Sequence, residues 1–257
     1  MFSYVIFFLF GLVVGSFLNV CIYRIPRNRS IIWPSSRCPA CNAPIRAVDN
    51  IPLISYILLR GRCRECSGPI SARYPLVEGL NALFYVILLW RYGLTAGTIV
   101  FMVFFSTLLV ITFIDLDFQI IPDLITIPGT VIFLVLAIFI VIDPFSRQAP
   151  LGLRQSVSGL LLGFGLYYAI AVLSKGGMGG GDIKMMAMVG ALTGWKGVLF
   201  TTFFGSLAGS IFGISLMLLK GRGRKSRIPF GPFLAFGAAL YILAGREIVN
   251  FYLNFLG

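Results

Sequence analysis

Two aspartates at the edges of apolar stretches carry the chemistry this sequence can perform. Gly179-Gly180-Gly181-Asp182 lies between two long apolar runs, and Asp115 closes another. An ionisable side chain at such a boundary is costly to desolvate, which makes it a candidate functional residue. Two carboxylates in one partly dry site cannot both ionise cheaply, so one keeps its proton while the other acts as a base, and the pair titrates as a unit. The ionised member can take a proton from water as it attacks a peptide carbonyl. The protonated member polarises that carbonyl and later protonates the leaving amine. This is the acid–base division of an aspartic protease. Gly179, Gly180 and Gly181 suit it as candidate substrate contacts, because residues without Cβ let an extended backbone come close. Taken alone, they also read as a flexible loop or hinge.

Other charged residues near the pair have plainer roles. Asp123 follows Pro122 and opens an apolar run, so its carboxylate is expected to cap first-turn amides. Asp117 is two residues from Asp115 and points to another helix face, as a support or surface residue. Asp143, before Pro144, belongs to a loop. Lys184 is either a charge partner near the site or a basic anchor at the membrane surface.

A second constellation is Cys38-Pro39-Ala40-Cys41 with Cys63-Arg64-Glu65-Cys66, two CxxC pairs separated by 21 residues. Such knuckles hold a tetrahedral Zn²⁺ through four thiolates. In a reducing compartment a disulfide is the weaker explanation, and a redox centre needs only one pair. Four thiolates leave no open coordination position, and the chain has no histidine. The metal is therefore expected to staple a loop of about 50 residues that is too small to build a good core. Cys21, within the first apolar run, is expected to be a buried thiol.

The elements that position these residues are membrane helices. The chain is 58% hydrophobic and 12% charged, with a mean hydropathy of +0.94, far more apolar than a soluble domain. Runs that approach or reach the roughly 20 residues needed to cross a bilayer appear at Phe2–Tyr23, Pro75–Trp90, Thr95–Ile114, Leu124–Ile142, Gln155–Ser174, Gly197–Leu219 and Pro229–Phe255. A shorter one, Ile183–Thr193, would make eight; only Gly194-Trp195-Lys196 separates it from the next. The first run lacks a basic leader and a small-residue cleavage site, so it reads as a retained helix. No internal repeat is evident. The segments 24–73, 175–184 and 220–227 collect sixteen of the 21 Lys and Arg residues. Arg91, Arg147, Arg154, Lys196 and Arg246 fall on the other side, which places the N-terminus outside and the cysteine loop in the cytoplasm. Both Asp115 and Asp182 then land at the cytoplasmic face. The net charge of +12 follows helix ends and suits anionic lipid, not nucleic acid. The expected fold is an all-α polytopic membrane protein of about eight transmembrane helices, with a small cytoplasmic zinc-knuckle insertion between the first two.

The residues Gly15-Ser16-Phe17-Leu18-Asn19-Val20-Cys21-Ile22-Tyr23-Arg24-Ile25-Pro26, the CxxC knuckles, Asp49-Asn50-Ile51-Pro52, Arg73-Tyr74-Pro75-Leu76-Val77-Glu78 and Gly179-Gly180-Gly181-Asp182-Ile183-Lys184 together resemble the type IV prepilin peptidases, over essentially the whole chain. The resemblance implies a catalytic pair formed by Asp182 of the GxGD motif and an aspartate of Asp115-Leu116-Asp117-Phe118-Gln119-Ile120-Ile121-Pro122-Asp123. Smaller relatives keep the aspartate seven residues before the proline and lack the second, which assigns the role to Asp115. It further implies a bacterial inner-membrane enzyme that removes a short basic leader from type IV prepilins and type II secretion pseudopilins, cutting after glycine. A basic leader is held inside by the positive-inside rule, so a cytoplasmic site fits. Members with this cysteine loop also N-methylate the new N-terminus, often phenylalanine, using S-adenosylmethionine. On this basis residues 1–23 form the first transmembrane helix, 24–74 the methyltransferase-associated four-cysteine loop, and 75–257 the peptidase bundle. No strand followed by GxGxxG marks a donor cradle, so no donor-binding residue is named. A broader GxGD protease cutting inside helices would place its aspartates deeper. An ion-coupled carrier would show inverted repeats.

Overall fold

The structure, a computed structural model, describes residues 2–146, 149–175, 177–220 and 228–256. Its helices are α1 (Phe2–Arg24), α2 (Ile54–Leu58), α3 (Arg73–Tyr92), α4 (Ala96–Phe118), α5 (Asp123–Phe139), α6 (Gly152–Leu173), α7 (Gly180–Lys220) and α8 (Gly231–Leu256). No strand occurs among the described residues, only isolated bridges, and the all-α expectation holds. The helices α1, α4, α6, α7 and α8 are long and apolar enough to cross a membrane, and α5 is a shorter apolar helix. Arg147 and the basic stretch Arg222–Arg227 lie outside the described residues.

The long helix α7 is two arms. Gly194 sits at φ 72° and ψ −179°, a conformation open to glycine and not to L-residues. Residues eight apart in one straight helix are separated by about 12 Å along its axis. Yet a Cβ on Gly190 would lie 2.9 Å from Val198 Cγ2, so the chain doubles back at Gly194. Residues 180–193 and 195–220 are therefore separate segments, at the break expected from Gly194-Trp195-Lys196.

The chain forms two compact units, Met1–Val110 and Ile111–Gly257. In the first, α1 and α3 approach through glycine: a Cβ on Gly15 would lie 2.7 Å from Glu78 Cα. Small residues at such seams let membrane helices meet closely, and buried polar side chains then tie them. Asn81 Nδ2 donates to Gly11 O at 2.8 Å, and Ser106 Oγ donates to Asn81 Oδ1 at 2.8 Å. Between α1 and α3 lies the cysteine loop. Contrary to the expectation of no repeat, 37–45 and 62–70 are one motif used twice, Arg-Cys-x-x-Cys-x-x-Pro-Ile. Each copy closes with a bridge, Arg37 to Pro44 and Arg62 to Pro69. Each also has a positive-φ residue after its second cysteine, Asn42 at 59° and Ser67 at 56°. Nine residues with four variable positions give little sequence signal; the shared turn geometry makes the repeat plain.

In the second unit, α6 packs on α7 where Gly159 meets Gly190 O and Gly194, and where Gly163 meets Met186 O. Met186, Met188, Val189 and Leu192 of this arm are all 0% exposed, so these backbones cannot separate without opening the interior around the arm. Gly159→Val should therefore destabilise the protein by about 3 kcal/mol, read as a lower melting temperature in detergent. Gly165→Val on the same helix, whose Cβ would meet nothing within 4 Å, should leave it near wild type.

Candidate active site

Asp115 lies in the last turn of α4 and is 5% exposed. Burial of a carboxylate requires donors, and one is supplied by the first residue of α8: the Gly231 N–H donates to Asp115 Oδ2 at 2.9 Å. The carboxylate thus sits at a helix N-terminus, where unpaired N–H groups and the helix dipole favour an anion. Asp182 occupies the first turn of α7, and its own N–H donates to Gly179 O at 3.1 Å. Its Oδ1 is buried with no hydrogen-bond partner.

Ile121, in the turn between α4 and α5, joins the two positions. A Cβ on Gly181 would lie 2.7 Å from Ile121 Cβ, and one on Gly231 would lie 2.7 Å from Asp115 Oδ2 and 3.2 Å from Ile121 Cδ1. Both glycines are therefore closed to any side chain while these neighbours stay in place. The Asp115 carboxyl lies within electrostatic reach of Asp182. The two carboxylates expected from sequence accordingly come together around Ile121, Gly181 and Gly231. Gly179 and Gly180 are exposed beside them, with the Gly179 Cβ position 3.3 Å from Asp182 Oδ2.

The surrounding charges sort as follows. Asp117 is exposed. Asp143 lies in the loop after α5, where its Oδ1 accepts the Phe145 N–H at 2.9 Å. The expected N-cap role of Asp123 is corrected: Pro122 occupies the cap, no side chain bonds the first-turn amides, and Asp123 is the first helical residue. Its carboxylate instead pairs with Lys184 Nζ at 2.6 Å. The pairing prevails because Lys184 follows Asp182 by two residues, so the contact that seats Gly181 on Ile121 also carries Lys184 to the start of α5. Lys184 is thereby a charge partner at the rim.

In the first unit, one ligand atom from each of Cys38, Cys41, Cys63 and Cys66 lies within 4.8 Å of all the others. Cys38 Sγ and Cys66 Sγ are 3.9 Å apart. Thiolates at about 2.3 Å from a tetrahedral zinc are separated by just under 4 Å, so the set fits that ion. The backbone N–H groups of Cys41 and Ala40 pull the Cys38 thiol down to about 7, towards the thiolate a metal needs. At Cys41 the Ala43 N–H acts downward, but desolvation and the neighbouring sulfurs outweigh it and push the thiol up to about 11. The loop is braced by Arg64, which grips Asp49 with contacts of 2.6–3.0 Å, and by Arg46 on Glu65 at 2.9 Å. The Arg64 hydrogen bonds and charge hold the Asp49 carboxyl below its ordinary range. Cys21 is buried at 7% exposure, apart from this cluster.

Comparison with known proteins matches residues 9–92 to the bacterial peptidase A24 N-terminal domain and 102–214 to the type IV leader peptidase family. The chain is 39% identical to a prepilin leader peptidase/N-methyltransferase of Aeromonas hydrophila, over 97% of this chain and 93% of that one. It is 34% identical to the protein of the same name from Pseudomonas aeruginosa, again over 97% and 93%. It belongs to the type IV leader peptidase family. The counterpart in Legionella pneumophila is 33% identical over 99% of this chain and 96% of its own. No solved structure matches.

For this leader-peptidase chain, sequence reasoning missed Gly231 and Ile121. Gly231 contributes only a backbone N–H from 116 positions away, which no side-chain pattern announces. Ile121 lies inside the aspartate motif, but an aliphatic side chain there announces no chemistry. The metal site yields a direct check. Metal analysis of purified protein should find about one zinc per chain, falling towards zero in Cys38→Ser and Cys63→Ser. A metal-free wild type with four reactive thiols would contradict the assignment.

Proposed function

We propose that this protein is a bacterial inner-membrane endopeptidase that removes the short basic leader of type IV prepilins and pseudopilins after glycine, at the cytoplasmic face. It then N-methylates the new N-terminus. The observation that carries the peptidase reading is the meeting of Asp115 and Asp182 around Ile121 and Gly231 at the ends of apolar helices.

Asp115, already receiving a backbone hydrogen bond, is the member that takes the proton of the attacking water. Asp182, with a buried oxygen lacking any partner, holds the shared proton and delivers it first towards the substrate carbonyl and then to the leaving amine. Gly179 and Gly180 lie open beside Asp182 and accommodate the extended substrate backbone. On this reading the chain crosses the membrane eight times, through α1, α3, α4, α5, α6, the two arms of α7, and α8. Nine Lys and Arg residues within 24–73 favour an outside N-terminus and a cytoplasmic cysteine loop. Cys38, Cys41, Cys63 and Cys66 hold a structural zinc, which staples residues 24–74 without touching the reaction.

S-adenosylmethionine, the donor implied by the second activity, supplies an electrophilic methyl group. Unit 1 offers acceptors suited to a cationic group in Glu78, 7% exposed, and in the unpartnered Oδ1 of Asn19.

Mass spectrometry of a prepilin incubated with purified enzyme tests both steps. Asp115→Asn and Asp182→Asn should each abolish leader removal; cleavage at the wild-type rate by either would break the pair as assigned. Addition of S-adenosylmethionine should make the product heavier by one methyl group. Gly231→Ala should slow cleavage about 100-fold, because its Cβ would lie 2.7 Å from Asp115 Oδ2.

A further inference from the structure

One buried carboxylate takes no part in the aspartate chemistry. Glu78 of α3 is 7% exposed and faces α1 at Gly15 and Ser16. Its Oε2 accepts the Leu53 N–H at 2.9 Å, and Ser16 bonds the same carboxyl. No Lys or Arg pairs with it among the described residues. One turn further along α1, Asn19 is 3% exposed. Its Nδ2 donates to Tyr74 O at 3.1 Å, and its Oδ1 is left with no partner. The seam therefore holds, among the described residues, a carboxyl without a counter-cation and a neighbouring acceptor without a donor. Both are expensive to bury, and an ionisable residue within a membrane helix marks a functional site.

The segment donating to Glu78 is itself strained. Leu53 has φ 59° and ψ −49°, and the Ile54 N–H reaches Pro52 O at 2.6 Å. This three-residue turn with positive φ is rare and unfavourable for a side chain bearing Cβ. Anchoring such a turn calls for nothing more than a neutral acceptor. A carboxylate at the position points to a positively charged visitor that displaces the Leu53 N–H and lets the turn relax.

We propose that Glu78 and Asn19 Oδ1 bind an α-ammonium group in the methyl-transfer half of the reaction, a site resting on the methyltransferase reading above. Two molecules in that step carry such a group: the newly cut substrate, at its N-terminus, and the methyl donor, in its methionine part. If the substrate is the bearer, its ammonium gives one proton to Glu78 and becomes a neutral amine. The nitrogen lone pair then forms the N–C bond as the donor's S–C bond breaks, with that electron pair remaining on sulfur.

Glu78→Gln tests the assignment, because the amide oxygen still accepts from Leu53 and only the charge is lost. Methylation should fall at least about 100-fold, while leader removal in the same sample stays within about twofold of wild type. Binding separates the two bearers. A phenylalanine-initiated peptide should bind wild type more tightly than its N-acetylated twin, and Glu78→Gln should erase the preference if the substrate is held. If the donor is held, Glu78→Gln should instead weaken binding of S-adenosylhomocysteine. The proposal is overturned if Glu78→Gln methylates within a few-fold of wild type, if it loses cleavage together with methylation, or if neither binding changes. A wild type that cleaves and never methylates overturns the methyltransferase reading itself.

Discussion

A buried carboxylate at the end of an apolar helix has to be met by something other than water, and the second unit is arranged around that requirement. Asp115 is received by the N-terminus of α8, through Gly231, while Asp182 stands in the first turn of α7. Each acid therefore lies where exposed N–H groups and the helix dipole favour negative charge. The dipoles favour whichever acid carries the charge, and among the described residues no Lys or Arg is bonded to either. Lys184, the nearest basic residue in sequence to Asp182, is occupied with Asp123 at 2.6 Å. A cation bonded directly to either acid would favour its ionised form and oppose the sharing of one proton.

The close approaches elsewhere in the unit follow from the same need. For α7 to present Asp182 beside α4 and α8, its first arm must sit deep against α6, which Gly159 and Gly163 allow by meeting backbone carbonyls directly. The reversal at Gly194 then returns the second arm to pack on α8, where a Cβ on Gly237 would lie 2.6 Å from Thr201 O. Without an internal hydrophobic effect to drive helices together in lipid, contacts of this kind and buried hydrogen bonds carry the association. In the first unit the ladder from Gly11 through Asn81 to Ser106 does the same work.

Much of this was legible in the residues. Apolar runs located the helices, Gly194-Trp195-Lys196 located the break within α7, and the four cysteines announced a cluster by spacing alone. Counting helices and basic loops led to the expectation that Asp115 and Asp182 share one membrane face, and the family resemblance favoured Asp115 over Asp117. What stayed hidden has a common cause: it depends on backbone atoms or on turns. The Gly231 N–H, the positive-φ turn at Leu53 and the closing turns of the two cysteine knuckles leave little trace in side-chain chemistry. Asp123 was misread because a carboxylate at a helix start serves equally well as a cap or as an ion-pair partner, and only the position of Lys184 decides between them.

The central claim is that Asp115 and Asp182 work as one acid–base pair sharing a proton. The pH dependence of kcat/KM for leader removal tests it most directly, since a pair that must carry one proton is inactive both when fully protonated and when fully ionised. The account expects a bell with an acid limb and a base limb, together with loss of activity in either aspartate variant. A profile with only one limb would contradict it.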